Sequence, residues 1–104
     1  MDTKLEHKNY LCTMNNEELF KSLHEKLLKD PNWPQVYMFK FIIKAENKQM
    51  ALVESKFSDE AVIHQKESSA GKYMSITVKE VMLNADSVIE KYNEVCAIEG
   101  VIAL

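Results

Sequence analysis

Two serines, a glycine and a lysine meet in Ser68-Ser69-Ala70-Gly71-Lys72, just ahead of Tyr73-Met74-Ser75-Ile76-Thr77-Val78. Hydroxyls, backbone N–H groups around a glycine, and an ammonium are the groups that cradle a carboxylate or a phosphate. The same residues also suit a plain hairpin loop, in which Gly71 supplies a positive φ and the serines satisfy nearby backbone. The spacing does not match the phosphate-binding G-x-x-x-x-G-K-[ST] loop. The chain has only two glycines, so one placed here specifies a turn. Beyond the turn, Tyr73, Ser75, Thr77 and Lys79 alternate with Met74, Ile76 and Val78, which puts a polar row on one face of a strand. Lys40 is a second point of interest, a cation inside the apolar run Val36–Lys44. It shares parity with Val36, Met38 and Ile42, which leaves open whether it faces solvent or pairs with a carboxylate. Ser68, Ser69, Gly71, Lys72, Tyr73, Ser75 and Lys40 are therefore the candidate partner- or ligand-binding residues.

Other chemistry is poorly supplied. His7, His24 and His64 fall in an arm, a helix and a strand, and none has a second ligand at metal spacing. Cys12 and Cys96 form no metal-ligand pair. Cys96 reads as a small buried hydrophobe, and nothing near Cys12 would depress its pKa. No nucleophile–base set and no paired carboxylates can be named. The expectation is no catalysis, no metal and no cofactor.

The elements that must position the candidates follow from periodicity. Residues 1–14 read as a loose polar arm. Asn15, with Glu18 three residues on, resembles a capping box. Leu19, Phe20, Leu23, Leu27 and Leu28 recur at helical spacing, and Asp30-Pro31 stops the helix near Lys29. Val36–Lys44 is apolar on both alternating sets, which predicts a central strand packed on both sides. Asn47 is expected to cap a short helix running to about Phe57, with Met50, Val53 and Phe57 on one face. Glu60–Glu67 is a weaker strand. Tyr73–Leu83 is the clearest strand, apolar on one face only. Asn84 is expected to cap a last helix with a stripe of Val88, Ile89, Tyr92, Val95 and Cys96, ended by Gly100. Val101–Leu104 is a terminal strand. The order strand, helix, strand, strand, helix, strand predicts an α+β, ferredoxin-like βαββαβ domain, with a four-stranded antiparallel sheet and two helices on one face. Residues 1–32 are the N-terminal arm and helix, and residues 33–104 the domain. The other sheet face stays open unless the first helix, a second copy or a ligand covers it.

At this level the chain resembles the YbeD-like proteins, a bacterial family without an assigned reaction. The resemblance rests on Ser68–Val78, on Trp33-Pro34-Gln35-Val36-Tyr37-Met38-Phe39-Lys40-Phe41 and on Val101-Ile102-Ala103-Leu104, and spans about residues 33–104. Ala70 stands where a basic residue is common, the helix between the first two strands is short, and the N-terminal helix is an addition. The resemblance implies a domain similar to ACT regulatory domains, which often pair between copies. It implies no reaction, and fold analogy transfers no function.

Composition narrows the partners. At 104 residues and 46% apolar the chain supports one core, and its net charge of −3 disfavours nucleic acid unless basic residues are segregated. The Gly71–Ile76 stretch also lacks the aromatics that follow glycine in an RNA-binding strand. No segment approaches the ~20 apolar residues of a membrane span, and no secretory signal is evident. The expectation is a bacterial, cytoplasmic protein with reduced thiols. Its function would be that of a non-catalytic regulatory or adaptor module acting through a protein partner or a homo-oligomer. A small-metabolite sensor for an anionic ligand is the alternative, weakened by the glycine-free loop Ala45-Glu46-Asn47. Nucleic-acid binding ranks last.

Overall fold

In the computed structural model, residues 17–104 are described. The expected arm, the Asn15 cap, His7 and Cys12 lie outside these residues. The elements run α1 (Glu17–Leu28), β1 (Gln35–Lys44), α2 (Asn47–Glu54), β2 (Val62–Glu67), β3 (Tyr73–Met82), α3 (Ala85–Cys96) and β4 (Ile102–Ala103). The strands form one sheet in the order β2-β3-β1-β4, and every pairing is antiparallel. This α+β arrangement of four antiparallel strands and three helices is consistent with a ferredoxin-like fold.

Register decides which side chains share a face. Phe39 pairs with Val78 and Phe41 with Ile76 on β1 and β3, and Ile63 of β2 pairs with Val78. Phe39, Phe41, Ile76 and Val78 are fully buried, and they join Met50 and Val53 of α2 and Val88, Tyr92 and Val95 of α3 in one core. Both helices therefore cover the same side of the sheet. The centre of that core is aromatic. The Phe39 ring lies 5.0 Å from Tyr92 and 5.4 Å from Phe57, tilted or edge-on as ring quadrupoles prefer. Lys91 of α3 closes the layer, its Nζ 5.1 Å from the Phe57 centroid while it donates to the Lys56 carbonyl just past α2.

α1 docks on its own domain, beside α3. Phe20, Leu23 and Leu27 pack against the core, with Phe20 6.2 Å from Tyr92. His24 Nε2 sits 2.5 Å from Asp86 Oδ1, and the Trp33 indole N–H donates to the Leu27 carbonyl at 3.0 Å. In the linker, Asp30 accepts from the Gln35 amide at 2.8 Å and from the Asn32 backbone at 3.0 Å, and these bonds hold its pKa below the usual carboxylate value.

The structure corrects several expectations. β1 is central but packed on one side only: Phe39, Phe41 and Ile43 are buried, while Val36, Met38, Lys40 and Lys44 are exposed. Among the described residues no element lies over that side. Asn47 is the first residue of α2, and the capping position belongs to Glu46, which makes no side-chain cap. That helix stops at Glu54, short of Phe57. Gly100, at φ +86, lies beyond α3 rather than at its end, since the helix closes at Cys96 with Ala97 as C-cap. Cys96 packs against the core as expected, yet it is disulfide-bonded, so the reduced-thiol expectation does not hold for it. Asn84 does cap α3, through a reciprocal box with Ser87.

Candidate functional site

The turn that stood out in the sequence is a hairpin loop between β2 and β3. Ser68 N–H donates to the Tyr73 carbonyl at 2.8 Å, Gly71 N–H to the Ser68 carbonyl at 2.9 Å, and Tyr73 N–H to Ser68 Oγ at 3.2 Å. Gly71 has φ +74, a conformation that glycine adopts without the penalty a Cβ brings. Three N–H groups that an anion cradle would use are thus committed to the hairpin itself. Lys72 is exposed, and its carbonyl accepts from Ala45 N–H at 3.0 Å.

Ser68, Ser69, Tyr73 and Ser75 line one cavity of about 410 Å³, with Ile42 and Lys66. Gly71, Lys72 and Lys40 do not line it. The hairpin therefore brings four of the seven candidate residues together, and places Lys40 elsewhere on the sheet.

Lys40 lies opposite Thr77, on the face turned away from α2 and α3. Register extends that face row by row. Val36 lies beside Val81, Met38 beside Lys79 and Val62, Lys40 beside Thr77 and His64, Ile42 beside Ser75 and Lys66, and Lys44 beside Tyr73. Four lysines and one histidine occupy these positions, and no aspartate or glutamate does. Among the described residues the lysines have no ion-pair partner, so the expected alternative of a paired Lys40 is not realised. Glu60, Glu67 and Glu80 come in only at the margin, along the walls of the turn cavity and of a second cavity of about 520 Å³ at the opposite end.

The apolar residues of this face are exposed to an unusual degree. Val36 is 59% exposed, Met38 50%, Val62 51% and Val81 60%. Single exposed aliphatics are ordinary, but four that adjoin through strand register form a patch, and such patches mark interaction sites. Sequence reasoning names Lys40, Tyr73 and Ser75 and places Lys79 in a polar row. It misses Lys44, Lys66, Val36, Met38, Val62 and Val81 as members of the same surface. The parity of each was readable, but the pairing that joins them was not.

A family model described as a protein of unknown function, DUF493, matches residues 29–104. The chain belongs to the DUF493 family. The DUF493 match takes in all four strands, α2 and α3, so the whole open face lies inside it, while α1 precedes it. No curated protein and no solved structure matches the chain. Among the described residues of this DUF493 chain there is no cluster of His, Cys, Asp and Glu that could hold a metal ion. No helix among them is long and apolar enough to cross a membrane.

Proposed function

We propose that this DUF493 chain is a non-catalytic, YbeD-like module of ferredoxin-like βαββαβ topology, resembling ACT domains in architecture. It works as an adaptor in the cytoplasm. Its open sheet face docks an acidic, partly apolar surface of a partner protein. The observation that carries this reading is the charge segregation: in a chain of net charge −3, the described strand positions of one face hold four lysines and no aspartate or glutamate. Cations set among exposed aliphatics suit a partner that brings carboxylates and apolar side chains together, since complementary potential selects and orients partners.

A second copy is a poorer occupant of this face. Two-fold pairing of identical surfaces sets each residue's patch against itself. Here it would bring four lysines from each copy into one interface, with no aspartate or glutamate at the described positions of the face to offset them.

The test is a photo-crosslinking amino acid placed at Met38, with a control at Ala51 on the exposed side of α2, in cells that make the protein. The expected result is an adduct to a different protein at Met38 only, through an acidic peptide, and its loss in the folded Lys40→Glu/Lys79→Glu variant. Adducts only to a second copy, only to nucleic acid, or to the same proteins from both positions would overturn the reading.

The turn cavity supports a second reading, the sensing of a small anionic metabolite held by Lys66 and the serine hydroxyls. A ligand that binds the folded state raises its melting temperature by mass action, so a metabolite panel separates this from the adaptor.

A further inference from the structure

We infer that the occupant of the open face is a single amphipathic acidic α-helix, laid along β1 and β3. The inference rests on the adaptor reading and adds the shape of the partner to it.

Width comes first. β4 pairs with β1 only at Phe41 and Ile42, so over Val36–Lys40 the regular face is three strands across. At a strand spacing of about 4.8 Å this gives roughly 10 Å, close to the 10–12 Å diameter of one helix. Length comes next. From Val36 to Lys44 the face runs eight residue steps along β1, or about 27 Å at ~3.4 Å per residue. A helix of about 18 residues spans that length.

The distribution of side chains then selects helix over strand. A partner that extended the sheet would pair with the free edge of β2 and meet backbone groups there. It would leave Lys40, Lys44 and Lys79 facing water, because they sit on β1 and β3 rather than at that edge. A helix lying on the face contacts all of them. Its apolar stripe meets Val36, Val81, Met38 and Val62 at one end, and its carboxylates meet Lys79, Lys40, Lys66 and Lys44. A layer of helix on the exposed side of a sheet is also the ordinary way in which a sheet buries apolar residues.

A nucleic-acid strand fits less well. Bases stack on aromatic side chains, and among the described residues the face offers only Tyr73, in its last row beside Lys44. The opposite end is aliphatic.

The experiment titrates the isotope-labelled full chain with a synthetic peptide of about 18 residues, one side of which carries leucines at helical spacing through one half and glutamates through the other, with neutral polar residues on the opposite side. A peptide of the same composition with scrambled order, an oligothymidylate and vesicles containing phosphatidylglycerol are run alongside. The proposal expects amide shifts confined to residues 36–44, 62–66 and 73–81, and a gain of helicity in the patterned peptide. It expects binding at least tenfold weaker for the scrambled peptide and for the Lys40→Glu/Lys79→Glu variant. Equal binding of patterned and scrambled peptides overturns the helix and leaves the acidic-partner reading standing. Failure of both peptides while the Met38 adduct persists does the same. Tighter occupation of the face by oligothymidylate or vesicles overturns both. Shifts confined to the turn cavity or to α1 and α3 also overturn the helix.

Discussion

The two faces of the sheet share the same strands and differ only by one residue of register. On one face Phe39, Phe41, Ile76 and Val78 are sealed beneath α2 and α3. On the other Met38, Lys40, Ser75 and Lys79 stand in water. Side chains alternate across a strand, so one backbone carries a folding surface and a free surface at once. The buried residues of the covered face are aromatic and aliphatic, and charge enters that face only at its margin, at Glu67 and Glu80. The open face mixes aliphatics with uncompensated cations, a combination that contributes little to folding and suits recognition. Stability and binding should therefore separate cleanly between neighbouring residues.

The largest effect is expected at Phe39, which is fully buried and in contact with the rings of Tyr37, Phe41, Phe57 and Tyr92. Phe39→Ala should cost about 3–5 kcal/mol, from lost transfer energy and the cavity left behind. That approaches the whole stability of a domain this size. Denaturant unfolding is the measurement. A cost below about 1 kcal/mol would mean the covered face is not the core.

Next comes Tyr92, whose hydroxyl lies 3.3 Å from that of Tyr37. Burial, then the bond to Tyr37, push its pKa well above the ordinary value of 10.0. In the folded state the phenol stays protonated where the unfolded chain has already ionised. Its contribution is fully present below pH 10.0 and is lost as pH rises past that value. Tyr92→Phe should flatten this alkaline decline and cost about 1–3 kcal/mol at neutral pH if the Tyr37 hydroxyl is left without a partner. Urea melts from pH 8 to 11 on both proteins would show it, and an unchanged slope would count against the buried pair.

How much of this was legible beforehand depends on the range of the interaction. Asn84 as a cap, the alternation of Tyr73–Lys79 and an α+β chain with a four-stranded antiparallel sheet are patterns that were readable. The hairpin role of Gly71 was readable too, as one of two options. β1 misled because Val36, Met38 and Ile42 look like a second buried face. Among the described residues no element buries them, so the same pattern that predicts burial here belongs to an exposed surface. The lysine band could not be read at all. Lys40, Lys44, Lys66 and Lys79 come from three strands, and only their antiparallel register makes them neighbours.

Gly71→Ala tests the turn as structure rather than site. A Cβ there meets nothing within 4 Å, so the cost comes from the positive φ alone. About 1–2 kcal/mol is expected. Binding at the open face should survive in the folded protein, and selective loss of binding at unchanged stability would return the turn to the functional site.

The His24–Asp86 contact should matter less. Both side chains are partly or largely exposed, which leaves such a pair within about 0–1 kcal/mol. A double-mutant cycle with His24→Ala and Asp86→Ala measures it. A coupling above that range would mean α1 is held electrostatically rather than by Phe20, Leu23 and Leu27.

The smallest effect on stability, and the one that separates the faces most sharply, is expected one residue from Phe39. Met38 is 50% exposed and lies beside Lys79 on the open side. Met38→Thr removes apolar area that folding leaves half in water, and threonine suits a strand at least as well. The change in unfolding free energy should stay within about 0.5 kcal/mol, as for surface sites generally. The acidic peptide should nevertheless bind more weakly, because the methionine belongs to the apolar end that seats it. A stability loss comparable to that at a buried position would show that Met38 is already covered in solution. The free surface on which the comparison rests would then be absent.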